Sequence, residues 1–215
     1  MADSPLGLWK LDETTGVVAA DSSGNGRDGT YSHGASGALG AAAINGNGTA
    51  SYNANFTGNV TIADAAWMDV NDYTVEGLFY ATASKSLNGL IGRKTTTNVW
   101  VWVIEATGFQ QSEAYNAAGT LYQPTSGGTG PSTSTPYHYA FKWDSAANNV
   151  KYFINGTLTK TVSTSSTARV GSADIMLGNG GYNVEWPGTL SFCAFYGTAL
   201  SDARILAHAQ AAGLA

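Results

Sequence analysis

The sequence predicts an all-β fold, in which two antiparallel sheets form a sandwich that ends in one short C-terminal helix. Short apolar or alternating runs recur along the chain between clusters of Gly, Asn, Ser and Asp. The composition agrees, because 27 Gly and only 12% charged residues favour strands and turns over helices. Helical spacing is convincing only near the C-terminus. No linker breaks the pattern, so the 215 residues are expected to form a single domain, 1–215.

The predicted strands follow from the apolar or alternating runs themselves. They lie at residues 6–11, 59–62, 73–80, 90–92, 99–104, 137–143, 150–154, 157–160, 174–178 and 188–196. Residues 16–29 and 124–136 are rich in turn-forming residues and are predicted to be long surface loops.

Two local signals mark a turn and a helix. Asn155-Gly156 stands between two predicted strands and predicts a two-residue hairpin turn, because both central residues of a type I′ turn need positive φ. Ser201 predicts the N-cap of a helix, and Gly213 predicts its end; helical spacing between them is given by Ile205, Leu206, His208 and Ala209.

Charge and cysteine content exclude several classes of protein. The net charge is −5 and the 10 basic residues are dispersed, so we expect no nucleic-acid partner. No apolar stretch reaches the length of a membrane span, so we expect no membrane insertion. Cys193 is the sole cysteine and is predicted to be a buried, inert thiol. The residues after Met1 lack the pattern of a secretory signal, so we expect either a protein not exported by that route or a fragment with an added Met.

Several stretches resemble laminin-G-like domains of the concanavalin A-like lectin/glucanase family. They are LWKLDE at 8–13, ADSSGNGRDGTY at 20–31, VTIAD at 60–64, DYTVEGLF at 72–79, LIGRK at 90–94, YHYAFKWD at 137–144, VKYFING at 150–156 and the closing segment 188–201. The resemblance covers nearly the whole chain and implies a jelly-roll sandwich. It does not select one function, because this fold hosts lectins, adhesion modules, viral surface proteins, hydrolases and lyases.

The loop at 21–29 is the candidate metal site. Asp21, Asn25 and Asp28 offer the oxygen ligands that Ca²⁺ prefers, and in the family this loop often borders a calcium site. We therefore predict one structural Ca²⁺. The alternative is a turn held by Asx hydrogen bonds, and the closing strand favours it, since Ser191 and Phe192 stand where the family usually has acidic residues.

Catalysis is not predicted. The five glutamates form no local pair of the kind that glycosidases require, and His33, His138 and His208 lie on unrelated predicted elements. The lyases of this fold need a cluster of His, Tyr, Arg and Gln side chains, which the sequence does not bring together locally.

Aromatic residues supply the candidate ligand-binding set. Trp100 and Trp102 share one face of their predicted strand, and Val101 and Val103 share the other. Because only one face of a sandwich strand meets the core, we predict that the other is covered by a partner subunit, a virion protein or a saccharide. Core packing is the alternative for the tryptophans. The remaining candidates lie in or near loops: Tyr115, Tyr122, Tyr182 and Trp186.

These observations lead to a non-catalytic surface or binding module. The first hypothesis is a phage-type virion surface protein, in the capsid decoration or tail, that self-associates or contacts other virion proteins and binds host cell-surface glycans. The alternative is a carbohydrate-binding module from a larger secreted bacterial enzyme or adhesin, which would be extracellular. A glycan hydrolase or lyase is the third hypothesis.

Overall fold

The computed structural model describes residues 3–33, 37–46, 51–54, 57–83, 88–94, 98–104, 110–122, 125–126, 132–179 and 186–215. Its strands in chain order are β1 (Gly7–Trp9), β2 (Val18–Ala19), β3 (Gly29–Ser32), β4 (Ala38–Ala41), β5 (Ser51–Asn53), β6 (Asn59–Ile62), β7 (Tyr73–Ala81), β8 (Asn88–Lys94), β9 (Asn98–Ile104), β10 (Gln110–Tyr115), β11 (Leu121–Tyr122), β12 (Thr125–Ser126), β13 (Pro136–Asp144), β14 (Asn149–Ile154), β15 (Thr157–Ser163), β16 (Ile175–Leu177) and β17 (Gly188–Tyr196). Helix α1 spans Asp202–Ala211, and two 3₁₀ helices span Ile44–Gly46 and Ala66–Met68.

The strands form two antiparallel sheets, as the sequence predicts. Sheet A has the order β15-β14-β13-β7-β17-β5-β4, with β1 also paired to β17. Sheet B has the order β11-β10-β9-β8-β16-β6-β3-β2, with β12 also paired to β10. About half of the neighbouring strands are distant in sequence, among them β7 and β17 in sheet A and β16 and β6 in sheet B, so long-range pairing joins the local hairpins into sheets.

The main core lies between the sheets and is explained by the period-2 alternation of the strands. On β13, Tyr139, Phe141 and Trp143 point into this core, and the residues between them point away. Both sheets contribute to it, and its members include Trp9, Tyr52, Tyr73, Phe79, Val60, Ile175, Leu177 and Phe195. Cys193 is also buried there, as predicted, and burial raises the pKa of its thiol.

A second apolar cluster lies on the outer face of sheet A, under α1. Ile205 and Ala209 of the helix are fully buried against residues that point outward from the sheet. Those residues are Leu8, Ala140, Phe153, Ala194, Tyr196 and Leu200. The helix begins where predicted, since the Ser201 hydroxyl accepts a hydrogen bond from the Arg204 N–H at 3.2 Å. Gly213 follows its end with a φ of 70°.

The predicted hairpin turn is confirmed, with φ of 48° at Asn155 and 71° at Gly156. The sequence missed the short strands β2 to β5 and β10 to β12. These strands contain Gly, Ala, Gln and Thr and lack apolar alternation, so only their pairing partners identify them. β2 and β12 even lie within the two predicted loops.

Candidate functional site

The predicted ligand-binding aromatic residues are dispersed. Trp186 is 1% exposed and packs edge-on against Phe79 with the ring centroids 5.2 Å apart, so its face is not available to a ligand. Tyr122 is half-buried, and its ring packs edge-on against Trp143 at 5.6 Å. Trp186 therefore takes the core-packing alternative, and Tyr122 packs against the same core. Tyr182 lies outside the described residues.

Backbone register assigns the two sides of β9. Trp100 pairs with Arg93 and Ala114, and both of these partners are buried. Trp102 pairs with the buried Ile91. Directly paired residues share a face, so positions 100 and 102 belong to the core side and positions 101 and 103 to the outer side. The side chains of β9 themselves are outside the described part of the structure.

One continuous row of paired residues crosses the outer side of sheet B, and we call it the outer row. It runs Glu113, Val101, Gly92, Met176, Thr61, Thr30 and Val18. At the usual strand spacing, seven strands give a row about 29 Å long. Tyr115 lies beside it, and its hydroxyl donates to Glu113 Oε2 at 3.3 Å. The outer row thus combines an aromatic ring, a carboxylate and two hydroxyls, with no side chain at Gly92 near its centre.

The predicted metal loop is closed by hydrogen bonds within the protein. Asp21 Oδ1 accepts the backbone N–H groups of Leu8 at 3.0 Å and Ser23 at 2.8 Å. Asp21 Oδ2 accepts the Arg27 N–H at 2.9 Å and the Ser23 hydroxyl at 2.8 Å. Burial raises the pKa of Asp21, but these hydrogen bonds outweigh it and leave the pKa below its usual range.

The other two predicted ligands are also engaged. Asp28 Oδ1 accepts the Asp21 N–H at 2.8 Å, and Asn25 Nδ2 donates to the carbonyls of Pro5 and Leu6 at 3.2 and 3.1 Å. N–H and O–H groups directed at the Asp21 carboxylate occupy the lone pairs that a calcium ion would need, so this arrangement does not fit Ca²⁺. Within the described ranges, no group of three His, Cys, Asp or Glu side chains could hold a metal ion. The calcium site stays a prediction, and the effect of a chelator on the melting temperature tests it.

Distant parts of the chain form an acid–base cluster that the sequence analysis missed, and we call it the Glu76 cluster. Glu76 Oε1 accepts a hydrogen bond from the Tyr196 hydroxyl at 2.8 Å and lies 2.7 Å from His208 Nδ1. His208 Nε2 lies 3.1 Å from Asp3 Oδ2, and Arg204 forms an ion pair with the same carboxylate. The two histidines that seemed unrelated in sequence, His138 and His208, therefore both contact Glu76.

His138 completes the Glu76 cluster from β13. Its Nε2 lies 3.4 Å from Glu76 Oε2, an ion-pair distance at which the geometry makes no hydrogen bond. Strand order explains why Glu76 and His138 are close together. β7 lies between β13 and β17, and Glu76 pairs with Ala140 and Ala194. His138 is two residues from Ala140 on β13 and therefore lies on the same face of the sheet. Alternation on three separate strands was visible in the sequence, but their order in the sheet was not.

The electrostatics of the Glu76 cluster favour fixed charges. Burial raises the pKa of Glu76, but its contacts with His138 and His208 outweigh this and hold the pKa at about 2. The hydrogen bond to Glu76 raises the pKa of His208 above its usual value despite partial burial, and Asp3 adds to that effect. Burial beside Glu76 also raises the pKa of the Tyr196 hydroxyl. Glu76 therefore stays ionised, and His208 carries its proton to higher pH than a free histidine.

Two adjacent cavities lie on the outer face of sheet A. The inner cavity, about 210 Å³, lies between the Glu76 cluster and the end of α1. It is lined by Glu76, Leu78, His138, Phe192, Tyr196, His208, Ala211 and Ala212. The outer cavity, about 430 Å³, is lined by Ala42, Ala43, Ile44, Asn45, Tyr80, Pro136 and Thr189. The two cavities are adjacent because neighbouring residue pairs of β13 and β7 form their floors. His138 pairs with Leu78 under the inner cavity, and Pro136 pairs with Tyr80 under the outer one, two residues further along each strand.

This architecture defines a concanavalin A-like jelly-roll domain, with a mixed polar and apolar outer face on sheet B and a helix-covered face on sheet A. The chain belongs to the concanavalin A-like lectin/glucanase superfamily, whose family model matches residues 53–206. A search of curated proteins by sequence finds no match. No helix in the described segments is long and apolar enough to cross a membrane.

Solved structures with the same fold include domain 4 of an extracellular arabinanase from Geobacillus stearothermophilus, in complex with arabinotriose. It superposes with a TM-score of 0.73 at 19% identity over 97% of this chain and 99% of that chain. The IT-sialidase CBM40 of Ruminococcus gnavus, bound to α2,3 sialyllactose, gives 0.56 at 21% identity over 66% of this chain and 84% of that chain.

A toxin domain shares the fold as well. The binding domain of Paraclostridial Mosquitocidal Protein 1 gives a TM-score of 0.74 at 12% identity, covering 97% of this chain and 52% of that chain. This chain therefore spans about half of that binding domain. All these identities are low, so the comparisons establish the fold.

Proposed function

We propose that this protein is a non-catalytic carbohydrate-binding module that binds glycans along the outer row of sheet B. The observation that carries the proposal is the paired row from Glu113 to Val18, with the ring of Tyr115 beside it. An aromatic ring stacks on the apolar face of a sugar, while carboxylates and hydroxyls bind its hydroxyl groups. A row about 29 Å long suits an extended oligosaccharide better than a single sugar.

Saccharides bound to two proteins of the same fold support this proposal. The arabinanase domain was solved with arabinotriose, and the sialidase module was solved with sialyllactose. Both share the jelly-roll fold with this chain.

The chemistry of the Glu76 cluster supports a non-catalytic module. A general acid or base must exchange a proton with the substrate near the working pH. Glu76, with a pKa of about 2, stays a carboxylate, and both ring nitrogens of His208 already face carboxylates.

Hydrolase or lyase activity is the third candidate function. We expect no release of reducing ends or unsaturated products when the protein is incubated with a panel of polysaccharides.

An array of immobilised glycans, followed by calorimetric titration of the strongest ligand, tests the proposal. Tyr115→Ala removes the stacking surface and should weaken binding by about tenfold or more, with little change in the melting temperature. Glu113→Gln keeps the shape and removes the charge, and it should also weaken binding. Thr159→Ala, an exposed change on β15 of the other sheet, is the matched control.

Two results would contradict the proposal. One is an array on which the wild-type protein binds no glycan above background. The other is a pair of sheet B variants that bind the selected glycan as tightly as the Thr159→Ala control does.

The biological setting is a finer proposal. The lysine-poor composition, rich in Thr, Gly and Ala, supports a virion surface protein of a phage, on the capsid or tail, with virion proteins or further copies of itself as neighbours. The alternative setting is a binding module of a secreted bacterial enzyme or adhesin, and the arabinanase and sialidase relatives support it. Portal, capsid or tail genes beside this one would select the first setting, and a coding sequence that continues into a secreted enzyme would select the second.

A further inference from the structure

The inner cavity lies on the outer face of sheet A, whereas the outer row lies on sheet B. Its floor is formed by Glu76 and His138, and its walls are formed by Phe192 and the end of α1 at Ala211. A ligand in this cavity would contact none of the residues of the outer row. Any binding here is therefore a property separate from the function proposed above.

The floor carries buried polar atoms without hydrogen-bond partners among the described residues. Glu76 and His138 are each 1% exposed. Neither ring nitrogen of His138 makes a hydrogen bond, and the same is true of Glu76 Oε2. Glu76 Oε2 and His138 Nε2 face each other at 3.4 Å without forming a hydrogen bond, and proteins rarely leave buried polar groups in this state. Both side chains line the cavity, so a molecule held there could supply the missing partners.

Each carboxylate around the cavity already faces a basic side chain. Glu76 faces His138 and His208, and Asp3 faces both His208 and Arg204. Two carboxylates are thus matched by one guanidinium and by a histidine whose pKa these carboxylates raise. No unpaired charge is left to attract an ionic ligand, and a charged group placed here would lose its hydration without gaining a counterion. An uncharged ligand that donates and accepts hydrogen bonds fits better.

A strained bulge shapes the apolar wall. β17 shifts register between Ser191 and Cys193, and the intervening Phe192 has a φ of 79°, a left-handed value that is unusual for a bulky residue. The bulge places Phe192 on the outer face, at the cavity wall. It also requires Gly77, because a Cβ at that position would lie 2.8 Å from the Phe192 carbonyl oxygen. Such strain is typical of sites that hold a ligand.

We propose that the inner cavity is a second binding site, which takes one uncharged, hydroxyl-bearing ring such as a single sugar residue or a cyclic polyol. One ligand hydroxyl bridges the two floor residues from the cavity side, where it donates to Glu76 Oε2 and accepts from the ring N–H of His138. The apolar face of the ligand ring packs on Phe192. The ligand enters from the side of the outer cavity, past Tyr80, which is half-buried at its floor.

The test uses the full-length protein with isotope-labelled histidine, observed by NMR. Only three histidines are present, and His33 does not line the cavity, so its ring signals are an internal reference. The probes are methyl glucoside, methyl galactoside, methyl arabinoside and myo-inositol. Glucuronate and glucosamine are the charged counterparts. We expect at least one uncharged probe to shift the His138 ring signals to saturation while the His33 signals stay fixed, with the charged probes weaker.

A blocking variant shows whether the effect arises in the cavity. Ala211 is exposed at the cavity mouth, so Ala211→Trp should fold normally and weaken the uncharged probe by about tenfold or more. Ala203→Trp, at an exposed position of the same helix away from the cavity, is the matched control and should bind as the wild type does. The proposal is wrong if no uncharged probe saturates the His138 shift, if charged probes bind equally well, or if Ala211→Trp binds like Ala203→Trp. A Tyr115→Ala protein should keep this binding, which separates the site from the outer row.

Discussion

Arg93 is a buried cation that ties two loops to sheet B. It is 1% exposed, and its Nε donates to the Ala173 carbonyl at 3.0 Å and its Nη1 to the Met68 carbonyl at 2.9 Å. Its guanidinium also forms ion pairs with Asp64 at 2.6 Å and Asp69 at 2.9 Å. A planar group with five donors is needed to satisfy so many acceptors at once, and lysine could not do this.

Arg93→Met should therefore lower the free energy of unfolding by about 3–5 kcal/mol, because it leaves two carboxylates and several carbonyls without their shared donor. Urea unfolding measures the loss. Lys10→Met is the control, since Lys10 is exposed, and it should change the stability by less than about 0.5 kcal/mol. Equal effects from the two variants would mean that the Arg93 contacts do not persist in solution.

Asp21 organises its loop through four hydrogen bonds from Leu8, Ser23 and Arg27. Asp21→Ala should lower the free energy of unfolding by about 2 kcal/mol or more, since it leaves buried N–H groups without an acceptor. If the loop is a turn and not a calcium site, the wild-type melting temperature should be the same in EDTA and in added Ca²⁺. A wild-type melting temperature that falls in EDTA would instead support the calcium prediction, and Asp21→Ala would then abolish the response.

At the scale of elements, the hairpin between β14 and β15 also determines how α1 packs. Gly156 has a φ of 71°, and a Cβ there would lie 2.7 Å from Leu206 Cδ1 and 2.9 Å from the Leu206 Cα. The turn therefore needs glycine for its backbone conformation and also for its close approach to the helix.

Gly156→Val should consequently destabilise the protein by more than the roughly 1 kcal/mol expected from the turn alone. Asn155→Asp is the matched control, because aspartate also adopts positive φ and keeps an acceptor for the His138 N–H at 2.9 Å, and its cost should be smaller. Thermal unfolding of both variants compares the two costs. A neutral Gly156→Val variant would mean that neither the turn nor the helix contact forms as described.

The Glu76 cluster acts at the scale of the whole molecule, because it joins the N-terminal segment, β7, β17 and α1. His208 is its titratable link near neutral pH. Its pKa in the folded protein is raised above 6.5, chiefly by the hydrogen bond to Glu76, so its contribution to stability is complete below that pH. The contribution is lost as the pH rises through the raised pKa, because the imidazolium then loses its proton.

His208→Leu should lower the free energy of unfolding by roughly 1.5–3 kcal/mol near pH 6, where two charge-assisted contacts are lost. The difference from the wild type should shrink as the pH rises to about 9. Urea titrations at several pH values measure it. His33→Leu is the control and should keep the wild-type pH dependence, and a His208→Leu deficit that stays constant with pH would contradict the assignment.

The fold follows from local patterns wherever those patterns are strong. Alternation on β13, the Asn155-Gly156 turn and the Ser201 cap each satisfy a requirement of their own backbone, so the sequence alone determined them. Weak strands such as β4 and β10 carry no such pattern, and only their partners across the sheet decide that they are strands. Propensity is a poor guide there because pairing and burial override it.

The same distinction between local patterns and long-range pairing applies to the candidate sites. The sequence alone determined that Trp100 and Trp102 share one face, because alternation fixes this, but the register with Arg93 and Ala114 decided which face it is. It could not reveal that His138 and His208, 70 positions apart, meet at Glu76. Strand order in the sheet and helix packing bring these residues together, and both depend on the free energy of the whole fold rather than on any one segment.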